Sequence, residues 1–243
     1  MSHAAVLDDL RARLALIEGS VARHAHVPFG LDEVDHRLPG GGIATGVLHE
    51  IAGSADIADD ASATIFLAGI LARIEGPVVW CLRWRDLFAP ALAQAGLHPD
   101  RVIHVEAGSD AQVLLAVEEC LRVTGLAGVV GELGKYSTTA SKRLQLAAEA
   151  SGVTAFVFRR AAKIDALHEG TAATTRWRIT AAPSEHLGLP SLARPRWHVA
   201  LERVRGGEPC TWIVEGCDAQ GRIALPAALV DRPAAQEERQ AAA

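Results

Sequence analysis

Apolar and polar residues follow each other in blocks along the chain, and these blocks predict strands and helices in alternation. Short, almost wholly apolar runs predict buried strands, and the longer segments between them place apolar residues at helical spacing. The predicted strands are residues 47–51, 77–82, 102–105, 127–130 and 154–158, and the predicted helices are residues 61–74, 87–95, 111–123 and 139–150. Buried strands that alternate with helices are typical of a parallel sheet covered on both faces. We therefore predict an α/β fold with about five parallel strands.

The pattern changes after residue 158. Segments 175–180, 196–203 and 210–215 alternate polar and apolar residues, and Gly, Pro and Asp rather than helices separate them. This alternation predicts antiparallel strands with one solvent-exposed face, which most simply extend the same sheet at its C-terminal side.

The two ends of the chain differ from this central part. Residues 4–18 carry apolar side chains at helical spacing, which predicts a short amphipathic helix that caps the domain or docks on another subunit. The last residues have little to bury and predict a disordered tail. We therefore divide the chain into an N-terminal helix with its linker (1–26), one domain (27–225) and a tail (226–243).

Composition narrows the class of protein. Of the 243 residues, 49% are apolar and 22% are charged, which is ample material for a globular core. The net charge of −5 argues against a surface built throughout for nucleic acid. No apolar run approaches the roughly 20 residues that cross a bilayer, so we expect a cytoplasmic protein that does not bind membranes.

Candidate metal ligands are few. The four cysteines contain no C-x-x-C pair and predict reduced, mostly buried thiols rather than zinc ligands or disulfides. His24 and His26 could chelate a metal, but no carboxylates or cysteines stand beside them at ligand spacing. We therefore expect no metal site.

A glycine-rich turn and the strand at 47–51 lead to Gly53, like the approach to a phosphate-binding loop. A working loop has the form G-x-x-x-x-G-K-[ST], whose amides, lysine and hydroxyl hold phosphates and magnesium. Here the second glycine and the lysine are missing from their places, and Asp56, Asp59 and Asp60 stand where phosphate charge would lie. Because like charges repel at contact distance, we predict that this loop does not hold a triphosphate.

Residues 29–53 (FGLDEVDHRLPGGGIATGVLHEIAG), with the helix and strand that follow, resemble the start of a RecA-type recombinase core. Together with the lost phosphate loop and the motif VVGELGKYS at 129–137, they resemble more narrowly the ImuA family. ImuA proteins are RecA-like, SulA-related proteins encoded with ImuB, an inactive Y-family polymerase homologue, and an error-prone polymerase in bacterial DNA-damage cassettes. The resemblance covers roughly residues 27–215 and implies a RecA-like core.

The same resemblance implies the loss of catalysis. The magnesium-binding aspartate of RecA corresponds to Glu132, its catalytic glutamate falls at about Arg85, and its γ-phosphate sensors fall on Arg159 and Arg160. No lysine precedes Lys135, and an arginine cannot act as a catalytic base. We expect no ATP hydrolysis, no bound cofactor and no enzymatic activity.

The leading hypothesis is a non-catalytic accessory protein of SOS-type, damage-induced mutagenic translesion DNA synthesis. Its implied partners are ImuB, the error-prone polymerase machinery, and RecA or a second copy of itself, which would bring it to the nucleoid after damage. Two alternatives stay open. One is a SulA-like inhibitor of cell division, which the extra strands at 175–215 disfavour, and the other is an unconventional ATPase that uses Glu132 and Lys135.

Arginine pairs one residue apart predict a further candidate surface. On an extended segment this spacing places both guanidinium groups on one face, and interleaved tryptophans are typical of base-stacking or protein-binding surfaces. The alternative is a solvated strand face with core tryptophans behind it. DNA contact, if present, is expected to be weak. The candidate partner or DNA contacts are Arg83, Trp84, Arg85, Arg159, Arg160, Arg176 and Arg178.

Overall fold

The structure, a computed structural model, describes residues 24–160, 170–184 and 194–226. The predicted helix at 4–18 and nearly all of the predicted tail at 226–243 lie outside these residues, so both stay predictions. Within the described residues, no helix is long and apolar enough to cross a membrane.

The described strands form two sheets. A small sheet pairs β1 (His26–Val27) antiparallel with β2 (Ile43–Ala44). The main sheet has eight strands in the order β10-β9-β8-β3-β7-β6-β4-β5. These strands are β3 (Leu48–Ala52), β4 (Val78–Leu82), β5 (Val102–Glu106), β6 (Gly128–Glu132), β7 (Thr154–Arg159), β8 (Thr175–Ala182), β9 (Arg196–Val204) and β10 (Cys210–Glu215).

Five helices connect the strands of the described chain. They are α1 (Asp32–Asp35), α2 (Ile57–Ala72), α3 (Ala89–Gln94), α4 (Asp110–Cys120) and α5 (Thr138–Ser151). Side-chain oxygens of Asp56, Ser109 and Ser137 accept backbone hydrogen bonds at the starts of α2, α4 and α5. Gly152 ends α5 with φ of 75°, a left-handed conformation that favours glycine. The predicted alternation of helices and strands is confirmed.

The C-terminal strands extend the sheet as predicted, with one difference in direction. β9 pairs antiparallel with β8, and β10 pairs antiparallel with β9. β8, however, pairs parallel with β3, so it continues the parallel part of the sheet. Polar and apolar alternation along a strand reports which side chains are buried. It favours antiparallel pairing only as a tendency, which is why the sequence could not distinguish the two pairings of β8.

Helices cover both faces of the sheet. On one face, α2 and α3 pack through Phe66, Leu67 and Leu92 into a core that includes Trp80 and Phe158. On the other face, α4 and α5 pack through Val117 and Leu144 against a second core. Successive residues of a strand therefore enter different cores, which determines where each charged side chain at a strand end can go.

Candidate functional site

The loop that resembles a phosphate-binding loop joins β3 to α2 at the carboxyl edge of the parallel strands. A Cβ atom placed on Gly53 would come 2.5 Å from Asp60 Oδ1 and 2.7 Å from the carbonyl carbon of Asp59. Such contacts leave no room for any side chain. Glycine is therefore required at this position by close packing of the loop on its own helix, a reason independent of phosphate binding.

Two backbone amides of this loop already donate hydrogen bonds to side chains of the loop itself. The Asp56 amide donates a hydrogen bond to Ser54 Oγ (3.0 Å), and the Ala58 amide donates one to Asp56 Oδ1 (2.8 Å). Asp56 thus caps α2 and places a carboxylate at the positive end of the helix dipole. An entering phosphate would have to displace this carboxylate and overcome its charge.

Asp59 and Arg178 fasten the loop to the neighbouring strand β8. Asp59 accepts hydrogen bonds from Ser54 Oγ (2.5 Å) and from the Ala181 amide (2.7 Å). Arg178 donates to the Gly53 carbonyl oxygen (3.3 Å) and pairs with Glu202 at 2.6 Å. These bonds hold the loop in a conformation that serves the fold.

Glu132 is the last residue of β6, and it is the acid that the resemblance assigns to magnesium. The side chain is 6% exposed, accepts a hydrogen bond from Trp80 Nε1 (2.8 Å), and pairs with Arg160 Nε at 2.8 Å. Burial raises the pKa of the Glu132 carboxyl above its ordinary value, although Arg160 and Trp80 favour its ionised form.

Arg160 bridges Glu132 to a second carboxylate. Its two terminal nitrogens donate to Asp86, Nη1 to Oδ2 at 2.7 Å and Nη2 to Oδ1 at 3.1 Å. A guanidinium ion therefore bridges the two acids at the position where magnesium is expected from the resemblance. A planar cation in this fork geometry satisfies both carboxylates without a metal.

A second carboxylate cluster lies on the opposite face of the sheet. Glu50 of β3 is fully buried and pairs with Arg159 Nη1 (3.0 Å) from β7 and with Arg176 Nη2 (2.9 Å) from β8. Arg159 also donates to the Gly134 carbonyl oxygen at 3.0 Å, and its guanidinium lies 5.6 Å from the Tyr136 ring centroid. The cluster links the three central strands of the sheet through side chains.

The structure separates the seven candidate contacts predicted from the sequence into two groups. Arg159 (1% exposed) and Arg176 (5%) are buried in the Glu50 cluster, so in this conformation their guanidinium groups serve the fold and do not reach a partner. Arg178 also binds groups of the fold, namely the Gly53 carbonyl oxygen and the Glu202 carboxylate. The candidate contacts at the surface are Arg83, Trp84 and Arg85, with half-buried Arg160 beside them.

Trp84 is the most accessible aromatic residue of the predicted surface. It is 67% exposed, and the Arg83 guanidinium lies 5.7 Å from its ring centroid. Arg83 also pairs with Asp110 at 3.3 Å. Exposed tryptophan beside arginine is a common composition of protein-binding surfaces.

Three residues of these clusters carried no sequence signal strong enough to select them. Glu50 lies within an apolar strand, and Trp80 has the sequence context of an ordinary core residue. Asp86 follows the Arg83–Arg85 pair, which drew attention to the arginines instead. A charged residue in the middle of a buried strand is the one available signal, because such a charge requires a partner. That rule would have predicted an arginine opposite Glu50.

The described residues form neither a metal site nor a reactive thiol. Within residues 24–160, 170–184 and 194–226, no group of three or more His, Cys, Asp or Glu side chains could hold a metal ion. All four cysteines are free thiols; Cys81 is buried and the other three are half-buried. Burial raises the pKa of Cys81 and raises that of Cys217 to about 12, so neither is a reactive thiolate at neutral pH.

Comparison with known proteins first establishes the class. The crystal structure of the RadB recombinase superposes with a TM-score of 0.56 and 16% sequence identity, and the match covers 82% of this chain and 98% of that one. This likeness shows the RecA-like recombinase fold. No protein-family model matches the chain.

Sequence comparison then gives the family. The chain is 39% identical over 207 residues to Protein ImuA of Caulobacter vibrioides strain NA1000 / CB15N, covering 79% of this chain and 83% of that protein. The same protein from strain ATCC 19089 / CIP 103742 / CB 15 gives the same values. The chain belongs to the ImuA family, as its sequence motifs predicted.

Proposed function

We propose that this protein is a non-catalytic, RecA-like accessory factor of damage-induced mutagenic DNA synthesis across lesions. The observation that carries the proposal is the Arg160 guanidinium between Glu132 and Asp86. It supports a core that has exchanged its magnesium and nucleotide for an internal ion pair. Membership of the ImuA family supports the setting in a mutagenesis cassette.

The proposed mode of action is contact with other proteins. The partners are ImuB, through it the error-prone polymerase and the sliding clamp, and RecA or a second copy of the chain. Support comes from the exposed loop after β4, where Trp84 is 67% exposed and Phe88 is 68% exposed within five residues of chain. Large apolar side chains exposed together are typical of interaction surfaces.

The direct experiment is co-purification. Tagged protein mixed at micromolar concentration with ImuB or with RecA is expected to retain at least one of them through gel filtration. Trp84→Ala together with Arg85→Ala should weaken this retention, whereas Leu146→Ala, an exposed apolar residue on α5 that is distant in sequence from the loop, serves as the matched control. Failure to retain either partner would contradict the proposal.

The two alternatives have equally simple tests. A SulA-like division inhibitor would make filamentous cells on overexpression without DNA damage, and the proposed function predicts cells of normal length. An unconventional ATPase would show turnover that Glu132→Ala abolishes. The ion pairs of Glu132 and the occupied loop amides support the expectation of no turnover.

A further inference from the structure

An apolar groove runs between α2 and α3 at the carboxyl edge of the sheet. Its first part has a volume of about 340 Å³ and is lined mainly by Ala61, Ile65, Leu87, Ala91 and Leu92. A second depression of about 270 Å³ shares Ala61, Ile65 and Ala91 with the first and continues towards Trp197 and Cys217. The two depressions therefore adjoin at these three residues, and the groove is the pair of them.

Two large apolar side chains at the edges of the groove, which we call its lips, are exposed to solvent instead of packing in the core. Ile57, the first residue of α2, is 86% exposed, and Phe88, just before α3, is 68% exposed. Both side chains line the groove mouth. Scattered exposed apolar residues are ordinary, but two on facing lips of an apolar groove are typical of a surface that another molecule covers.

The shape of the groove fits a helix. From Ile57 to Ile65 the wall formed by α2 is about 12 Å long at 1.5 Å per residue, which is the length of about two helical turns. The small side chains of Ala61 and Ala91 stand on the two walls, so a helix backbone could approach closely. Helices dock in such grooves through apolar residues spaced three and four apart.

The charge around the groove indicates what should flank those apolar residues. Asp60 and Asp86 line the groove, and exposed Asp56 stands at the start of α2 beside it. The one cation of the lining, Arg160, is already engaged by Asp86 and Glu132. Three aspartates therefore outnumber one arginine at the end of the groove beside the start of α2, and basic residues at that end of the docked helix would complement this charge.

We propose that this groove receives a short amphipathic helix of another protein, with lysine or arginine on either side of its apolar face. The inference deepens the proposed function, because it assumes that the protein acts by contact and names the surface and the kind of partner. A second copy of the chain and an acidic or extended peptide are the competing occupants.

The test begins with selection of peptides from a displayed library of random 16-residue sequences on the full chain. The expected result is enrichment of sequences with apolar residues at helical spacing and flanking Lys or Arg. Enrichment of acidic or non-helical sequences, or no enrichment, would overturn the proposal.

Synthetic versions of the selected peptides are then titrated by fluorescence anisotropy. Ala91→Trp fills the groove, and Phe88→Ala removes one lip, so each should weaken binding by about tenfold or more. Leu146→Ala, which removes an exposed apolar side chain from α5 instead, should leave binding unchanged. If Ala91→Trp fails to fold, as judged by circular dichroism, Phe88→Ala and Ile57→Ser decide the question. Binding that these variants leave intact would contradict the groove.

Two further outcomes separate this inference from its alternatives. Sedimentation of the protein alone should show a monomer; a dimer that Ala91→Trp dissociates would assign the groove to a second copy. Retention of ImuB by wild-type protein and equally by Ala91→Trp would reject the groove while leaving the proposed function in place. Retention of neither ImuB nor RecA by wild type would instead contradict the proposed function itself.

Discussion

Two neighbouring arginines at the end of β7 enter two carboxylate clusters that differ in burial and in purpose. Arg159 is 1% exposed and joins Arg176 on the fully buried Glu50. Arg160, on the other face, has a side chain 32% exposed and joins Glu132 to the half-exposed Asp86. The same pairing chemistry thus links three strands in one place and, in the other, lies where the family resemblance places magnesium.

The largest loss of stability is expected from a substitution of Glu50. Glu50→Ala removes a carboxylate that pairs with two buried guanidinium groups, and removal of one partner of a buried ion pair costs about 3–5 kcal/mol. Urea unfolding should show this loss in the free energy of unfolding. Glu202→Ala, which removes the half-buried partner of Arg178, is the matched control and should cost clearly less. Equal costs would mean that burial does not distinguish the pairs.

Removal of Arg160 tests the second cluster. Arg160→Met leaves Glu132 buried with Trp80 as its hydrogen-bond donor, and we expect a loss of about 1–3 kcal/mol in urea unfolding. The control is Arg83→Met, whose pair with Asp110 is at the surface and should contribute less than about 1 kcal/mol. ATP should still not bind to Arg160→Met, because the loop amides and Asp56 remain as they are. Restored ATP binding would show that Arg160 alone blocks the site.

The raised pKa of Glu132 gives a pH test. Between the ordinary glutamate pKa and the raised one, the folded protein holds a proton that the unfolded chain has released, so this group makes stability fall as pH rises. Buried His49, whose pKa is lowered to about 4, gives the opposite slope below its ordinary pKa. The measurement is therefore the difference in unfolding free energy between wild type and Glu132→Gln across pH 4.5 to 7.5. Glutamine keeps a group that can accept from Trp80 but does not titrate, so wild type should lose stability relative to this variant as pH rises across the range. A pH-independent difference would contradict the assignment.

The smallest effect is expected at Asp86. Its bidentate pair with Arg160 has side chains 49% and 32% exposed, and such pairs contribute about 0–1 kcal/mol because water screens them. Asp86→Ala should lower the thermal unfolding temperature only slightly, and high salt should lower the wild type towards the variant. A loss as large as that of Arg160→Met would mean that Asp86 carries the cluster.

Much of the fold could be predicted because it depends on patterns within each segment. Apolar runs and helical spacing predicted the parallel core. The motif at residues 29–53, together with the altered phosphate loop and the motif at 129–137, predicted the family. The direction of β8 could not be predicted, because pairing between distant segments leaves no mark on the alternation along one strand.

Less of the candidate site than of the fold could be predicted from the sequence. The missing lysine and the aspartates of the loop predict that it does not hold a triphosphate, and this stays a prediction. The roles of Arg159 and Arg176 could not be predicted, since the arginine pattern predicted a surface and only the three-dimensional position of Glu50 shows that both are buried. A residue's partner across 109 or 126 positions of chain is a property of the fold.

The central claim, that an internal ion pair and an occupied loop have replaced the nucleotide, is tested most directly by titration of a fluorescent ATP analogue. The purified protein is titrated with magnesium present, alone and with single-stranded DNA. The account predicts no saturable binding up to millimolar nucleotide in either condition. Binding at micromolar concentration would contradict it and would show that Asp56 and Arg160 yield to phosphate and magnesium.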